Sequence, residues 1–219
     1  MPCGRSCPVS KVTPFDIHHQ HYDAWFEKHR GTYVSELLAL RPFTPWEGRG
    51  LEIGVGSGRF AAPLGVQMGG DPSLGMLSHA AARGIKIAAG TAERLPFADD
   101  IFDHALVVTT ICFVDSPAEM LAEARRVLKP SGRLVIGFIN KESSLGRNYQ
   151  MKHAESVFYR EATFYSPEEV ERLLLEAGFA ISVWGQTLTH PLAETWEIEH
   201  LRPGRGNGAF VVVSTTNEK

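Results

Sequence analysis

The sequence predicts an α/β fold: a mostly parallel sheet with helices on both faces and a helical cap ahead of it. Three observations predict it. Short apolar runs of strand character alternate with amphipathic stretches between residues 51 and 139, a rhythm that builds parallel sheets through crossover helices. A glycine-rich turn, LEIGVGSGRF, follows the first of these runs directly. The last two β-rich runs, 179–185 and 209–215, are joined by a polar stretch too short for another crossover helix, so they should pair as a hairpin and make the last strand antiparallel.

Each element has its own signal. Ile17, Tyr22, Trp25, Phe26, Tyr33, Leu37 and Leu38 recur at helical spacing across 16–40, interrupted near Gly31, which predicts two helical pieces before the sheet. Residues 41–50, RPFTPWEGRG, read as a loop. Residues 51–53 end the first strand, 59–64 open a helix that Pro63 keeps short, and 67–70 form a second strand ending at Asp71. The next helix carries Pro72 at an early, tolerated position. Residues 85–89 are the third strand, 102–109 the fourth, 116–128 an amphipathic helix and 133–139 the fifth strand; the fourth is apolar enough to be buried on both faces. In the tail, S-P-E-E from Ser166 makes a capping box with Glu169, and Gly178 supplies the residue just past the helix end.

The 219 residues fit one domain, with 1–45 as the helical cap and 140–166 as an insertion. A net charge of −3 gives no electrostatic basis for a polyanionic partner, so nucleic acid is not expected. No run approaches the roughly 18 to 20 apolar residues of a membrane span, and residues 1–16 lack a signal-peptide core, which predicts a cytoplasmic protein. Cys3, Cys7 and Cys112 are too few for a disulfide framework. Cys3 and Cys7 have the first spacing of C-x3-C-x2-C, but Ser10 holds the third place, so no cluster is expected. His18, His19 and His21 lack a metal-binding pattern, and no metal is expected.

The glycine turn admits two ligands. Gly56, Gly58 and Ala61 satisfy G-x-G-x-x-A, and Asp71 lies near the distance where a ribose-binding acid belongs, which suits a dinucleotide. Glu52 argues against it, because a carboxylate beside the turn repels a diphosphate. A ligand with a sulfonium, an ammonium and no phosphate, such as S-adenosylmethionine, reverses that sign.

Four stretches, LEIGVGSGRF, GGDPSLGML, GTAERLPFADDIFDHALV and EARRVLKPSGRLVIG, resemble in order the motifs of class I S-adenosylmethionine-dependent methyltransferases. The branch resembled includes the ubiquinone and menaquinone biosynthesis enzymes. The likeness is dense over 51–138 and looser toward the final strand. It implies a Rossmann-like, seven-stranded sheet with an antiparallel last strand. It also implies S-adenosyl-L-methionine as cofactor, S-adenosyl-L-homocysteine as its product, and methyl transfer to a small-molecule acceptor. By the same resemblance, Glu52 and Gly54, in one turn with Gly56 and Gly58, would hold the amino-acid end, and Asp71 the ribose. Pro72, Ser73 and Met76 would lie beside the adenine, with Thr91, Ala92 and Glu93 around its edge; many members carry Asp where this chain has Thr91. Thr109 and Thr110 would sit beneath the reactive methyl, Phe113 would border the acceptor pocket, and Tyr22 of YDAW would close over the cofactor. The segment TTIC differs from the Asn/Asp-Pro-Pro-aromatic signature of nucleobase amino-group enzymes, which disfavours that substrate class.

Residues 140–166 are long for a connection in such a fold and read as a substrate lid. Arg147, Lys152 and Arg160 suggest an anionic acceptor, with Tyr159 beside them. His153 and Tyr149 are the candidate bases if the acceptor must lose a proton. Three alternatives remain open at this stage: a surface helix with a solvated basic face, a cofactor-binding module without turnover, and an NAD-dependent oxidoreductase. Arsenite methylation needs clustered thiolates, and Cys112 stands alone in the pocket region.

Overall fold

The structure, a computed structural model, describes residues 11–190 and 197–219; Cys3 and Cys7 lie outside the described residues. Five parallel strands form its centre: β1 (Gly50–Ile53), β2 (Met68–Asp71), β3 (Lys86–Ala89), β4 (Phe102–Val108) and β5 (Leu128–Ile139). With β6 (Phe179–Thr187), β7 (Arg202–Pro203) and β8 (Phe210–Asn217) they make one sheet of order β3-β2-β1-β4-β5-β8-β6-β7. β8 is antiparallel to both β5 and β6, as the short connection between the two β-rich runs requires.

The strand beyond the seven expected is β7, a two-residue edge that pairs with Gly185 and Gln186. The Gln186 side chain organises it: Nε2 donates to the Pro203 carbonyl at 3.1 Å, and Oε1 accepts from the Asn207 and Gly208 amides at 2.8 and 2.7 Å. Pro203 has no N–H to offer, which suits an outer edge.

Side-chain alternation divides the core between the two faces. Leu51, Ile53, Ala105, Val107, Leu134 and Ile136 pack on one side against α6 (Pro117–Val127) and α8 (Pro167–Glu176). Leu106, Val108, Val135 and Val212 pack on the other side against α3 (Arg30–Leu40), α4 (Ala61–Leu64) and α5 (Leu74–Ala82). The α8 capping box forms as read, and Gly178 follows the helix at φ +80°. The cap of α5 is Ser73, whose hydroxyl accepts the Met76 amide at 3.2 Å, so Pro72 precedes the helix instead of opening it.

The N-terminal cap is three pieces, not two: α1 (Thr13–Ile17), α2 (His19–Lys28) and α3, with breaks at His18 and His29. Gly31 lies inside α3. At the second break His29 folds back on the preceding turn: its Nδ1 lies 3.0 Å from the Trp25 carbonyl and its ring stacks on Trp25 at 4.5 Å. Residues 140–166 contain α7 (Ser144–Met151), capped by Ser143, and a short 3₁₀ turn at His153–Glu155. No helix among the described residues is long and apolar enough to cross a membrane.

The strand order reverses between β1 and β4, and in open α/β sheets a crevice forms at the carboxyl ends of strands at such a switch point. The residues after β1, at the end of β2 and after β4 therefore converge.

At the opposite end of β4, His104 is buried, and neither ring nitrogen has a hydrogen-bond partner among the described residues. Burial lowers its pKa; Asp103 opposes the shift and Arg133 adds to it. An unfolded histidine titrates near about 6.5, so the unfolded chain takes up a proton that the folded chain resists. Stability is therefore full above that value and falls as pH drops below it. The denaturation midpoint should decline between about pH 7 and pH 5, and His104→Leu should flatten that slope in equilibrium unfolding.

Candidate active site

The site begins at the turn after β1. Gly54, Gly56 and Gly58 adopt φ of +73°, +50° and +79°, a region that side-chain-bearing residues rarely occupy. At Gly54 a Cβ would fall 2.3 Å from the Thr110 side chain, whose Oγ1 donates to the Gly54 and Val108 carbonyls at 3.3 and 3.0 Å. Gly56 faces open space.

Asp71 ends β2 and ties the turn to α5. Its Oδ2 accepts the Gly56 amide and its Oδ1 the Ser73 amide, each at 2.9 Å. Burial raises its pKa, the two amides pull it down, and Asp16 adds to the rise. Ser73 Oγ donates to Asp16 Oδ1 at 2.6 Å, fixing α1 against the start of α5. Behind the turn, Glu52 is buried with Oε2 unpartnered among the described residues. Burial drives its pKa well up, the Ala61 amide opposes this, and the Asp71 charge reinforces it. The floor thus gathers acids that burial makes reluctant to ionise without a neighbouring cation.

Two cavities open over this floor. One, of about 490 Å³, is lined by Gly54, Gly56, Asp71, Pro72, Ser73, Met76, Thr91, Ala92, Glu93, Thr109, Thr110, Tyr22 and Phe113. Glu52 and Gly58 do not line it; Gly58 lets the turn approach α5, where an added Cβ would lie 3.1 Å from the Ala80 Cα. Glu93 also braces the loop after β4, its Oε1 accepting the Asp115 amide at 2.7 Å.

The second cavity, of about 460 Å³, has aromatic walls including Trp25, Phe26, Phe60, Phe158 and Tyr159, with Glu36 buried among them. Tyr22, Thr109 and Phe113 belong to both cavities, so the two meet there. Thr109 holds φ +49° at this junction, a conformation costing a β-branched residue about 1–3 kcal/mol, while its amide donates to the Gly137 carbonyl at 2.8 Å.

The 140–166 segment is divided by the helical period. Leu145, Asn148, Tyr149 and Lys152 on α7 and just past it border the second cavity, whereas Arg147 is exposed and donates to the Glu142 carbonyl. Arg160 is exposed and lines neither cavity. His153 is also exposed and outside both, its Nδ1 2.8 Å from the Gln150 carbonyl. The expectation of an anion-binding cluster therefore retains only Lys152, at the exposed mouth. Tyr149 stacks on Tyr159 at 4.7 Å; burial first, and the Glu36 charge second, push its phenol up to about 12, so it stays protonated at neutral pH. Of the two candidate bases, His153 thus lacks the placement, and Tyr149, on the cavity wall, keeps its proton. Cys112 is buried, burial pushing its thiol up to about 12, with the S–H donating to the Thr109 carbonyl at 3.1 Å.

Sequence reasoning missed a charge clamp on the glycine turn. Asp23 of α2 accepts from Ser57 Oγ at 2.8 Å, from Arg59 Nη2 at 2.7 Å and from Arg83 Nη2 at 2.8 Å, while Arg83 Nη1 donates to the Ser57 carbonyl at 2.7 Å. Burial alone would raise the Asp23 carboxyl, but the bonds from Arg59, Ser57 and Arg83 hold it far below the usual carboxylate range. Lys11, Phe15, Asp115 and Glu161 also line the first cavity. Only the proximity of Arg59 to the turn could have signalled the clamp.

The comparisons with known proteins agree with this architecture. A family model described as a methyltransferase domain matches residues 51–136. A solved structure from Thermotoga maritima is 46% identical, with a TM-score of 0.92, covering 95% of this chain and all of that one. It is described as a SAM-dependent methyltransferase and possible histamine N-methyltransferase.

The chain belongs to the S-adenosylmethionine-dependent methyltransferases.

An uncharacterised protein of Methanocaldococcus jannaschii is 42% identical over 91% of this methyltransferase and 97% of its own length. A ubiquinone biosynthesis O-methyltransferase of Azorhizobium caulinodans is 29% identical over 90% of this chain and 81% of its own. The dinucleotide reading of Gly56-x-Gly58-x-x-Ala61 falls with this membership, and the methyltransferase's cofactor is S-adenosylmethionine. The residues fit that cofactor: the orphaned buried oxygen of Glu52 and the carboxylate of Asp71 favour a cation, and Gly56 leaves the cleft open where any side chain would intrude.

Two outcomes follow for the methyltransferase. Asp23→Ala, which leaves Arg59 and Arg83 uncompensated, should cost about 1.5–3 kcal/mol in equilibrium unfolding and loosen S-adenosylhomocysteine binding without touching the ligand. Gly54→Ala should abolish S-adenosylhomocysteine binding in calorimetry, because Thr110 must move; retained affinity would contradict the close packing.

Proposed function

We propose that this methyltransferase transfers a methyl group to a small molecule held in the aromatic cavity. The observation that carries the reading is the junction of the two cavities at Tyr22, Thr109 and Phe113. A donor lying in one cavity and an acceptor in the other would meet there and nowhere else along their walls.

In this reading Asp71 receives the ribose hydroxyls with the lone pairs its two backbone bonds leave free. Gly54 borders the amino-acid end, with Glu52 acting on it from behind the turn, Pro72, Ser73 and Met76 flank the adenine, and Thr91, Ala92 and Glu93 border its edge. Thr110 keeps Gly54 in place, and Gly58 sets the turn on α5. When bound, the cofactor supplies a methyl group on a sulfonium, whose displacement leaves a neutral thioether that needs no proton. The protein's task is to hold the acceptor's nucleophile in line and exclude water. Such positioning can contribute on the order of 7–11 kcal/mol.

Tyr22, Phe113 and Tyr159 form the wall against which the acceptor is oriented, and the 140–166 segment closes one side of its cavity as a lid. Arg147 and Arg160 take no part, so an anionic acceptor has little support. The Thermotoga maritima relative, with its histamine description, places small aromatic amines among the first acceptors to try.

Purified protein incubated with methyl-labelled S-adenosylmethionine and a low-molecular-weight metabolite extract should pass label to a small molecule, and S-adenosylhomocysteine should inhibit. Cofactor binding in calorimetry without any labelled product would instead favour a binding module without turnover. Phe113→Ala should lower transfer at least tenfold while S-adenosylhomocysteine affinity changes less than about threefold.

A further inference from the structure

Glu36 is the most unusual group in the acceptor cavity. It sits on α3, 5% exposed, and has no hydrogen-bonding or ionic partner among the described residues. Buried carboxylates are ordinarily paired, because an isolated charge in apolar surroundings is strongly unfavourable. This one is surrounded by rings: Tyr22, Trp25, Phe26, Phe60, Tyr149 and Tyr159 line the same cavity. A structural acid would have a cap, an arginine or a backbone amide to satisfy it. Glu36 has only the cavity.

We propose that Glu36 is the counter-ion for a cationic nitrogen, so that the acceptor of this methyltransferase is a small organic amine whose ammonium anchors it on Glu36 while a separate, uncharged atom bearing a lone pair takes the methyl group; the inference rests on the acceptor reading above. An ammonium carried on an apolar or aromatic body matches every wall: the charge pairs with Glu36, the rings accept it through cation–π contacts, and the remainder is buried against apolar surface. A carboxylate or phosphate would meet repulsion from Glu36 at the buried end, with Lys152 available only at the exposed mouth. A neutral phenol would leave the carboxyl without a charged partner.

The groups facing Glu36 are accounted for. Tyr22 on α2, Tyr149 on α7 and Tyr159 in the lid all feel its charge, and burial first of all drives their phenols up. His21, Lys152 and Glu155 are exposed residues lining the same cavity. With no cation present, burial pushes the Glu36 carboxyl up to about 8. The site therefore gains its negative charge as pH rises through that value, and a cation of fixed charge should bind better on the alkaline side.

The test is calorimetric titration of benzyltrimethylammonium, whose charge does not titrate, into the protein at pH 7 and pH 9. With a carboxyl near 8, the ionised fraction rises about tenfold over that interval, and affinity should follow. The neutral 2-phenylethanol should bind more weakly and without that pH dependence. Glu36→Gln should bind the ammonium at least tenfold more weakly at pH 9 and lose the dependence, while S-adenosylhomocysteine affinity stays unchanged and reports an intact fold. Equal ammonium affinity in wild type and Glu36→Gln, or wild-type affinity that is flat with pH, would overturn the proposal; the wild-type pH comparison stands even if the variant does not fold. Loss of S-adenosylhomocysteine binding in the wild type would instead overturn the methyl-transfer reading, which separates the two failures.

Discussion

The carboxylate of Asp71 is the joint on which the site is built. One oxygen accepts the amide of Gly56 and the other the amide of Ser73, so a single side chain fixes the turn after β1 and the first turn of α5 relative to the end of β2. Through the Ser73 hydroxyl the constraint extends to Asp16 and thus to α1. Bonds to an ionised acceptor are the stronger kind, and a buried carboxylate that lost them would be left uncompensated. The turn conformation, the helix start and the seating of the cap are therefore coupled.

The same joint sets the electrostatics. Burial first, and then a neighbouring charge, raises the proton affinity of two acids here: the Asp71 charge acts on Glu52 and the Asp16 charge on Asp71, in a cleft that the sheet cannot relieve. A cationic ligand lowers that free energy and a diphosphate raises it. The glycines then matter for a reason beyond backbone freedom: Gly56 leaves the cleft unobstructed, while Gly54 admits Thr110, which carries the wall across to β4 and Thr109. From Thr109 the wall continues into the aromatic cavity, whose remaining sides come from α2, α3 and the 140–166 segment.

Much of the sheet was legible in the sequence because its signals are local. Strand periodicity, the Ser166 capping box and the terminal hairpin depend on residues near one another in the chain, and each formed where its pattern lay. What was not legible depends on distant partners. Asp23 has no local pattern to mark it; its role comes from Ser57, Arg59 and Arg83, which the fold brings to it. Glu36 carries no local signal that marks it, and the fold buries it in a cavity. The basic residues of 140–166 misled in the opposite direction, because charge counted along a segment says nothing about which face of α7 each cation takes. Arg147 and Lys152 are five residues apart, and only Lys152 lines the cavity. The break expected near Gly31 falls two residues earlier, at His29, and the break at His18 carries no local signal, since histidine is no general helix breaker.

We propose that donor and acceptor meet at the shared wall of the two cavities. The most direct measurement is a crystal structure with S-adenosylhomocysteine bound. The thioether sulfur should lie in contact with the junction formed by Tyr22, Thr109 and Phe113, with the ribose on Asp71 and the aromatic cavity open beyond it. A sulfur directed away from that junction, or an adenine filling the space beside Glu36, would contradict it.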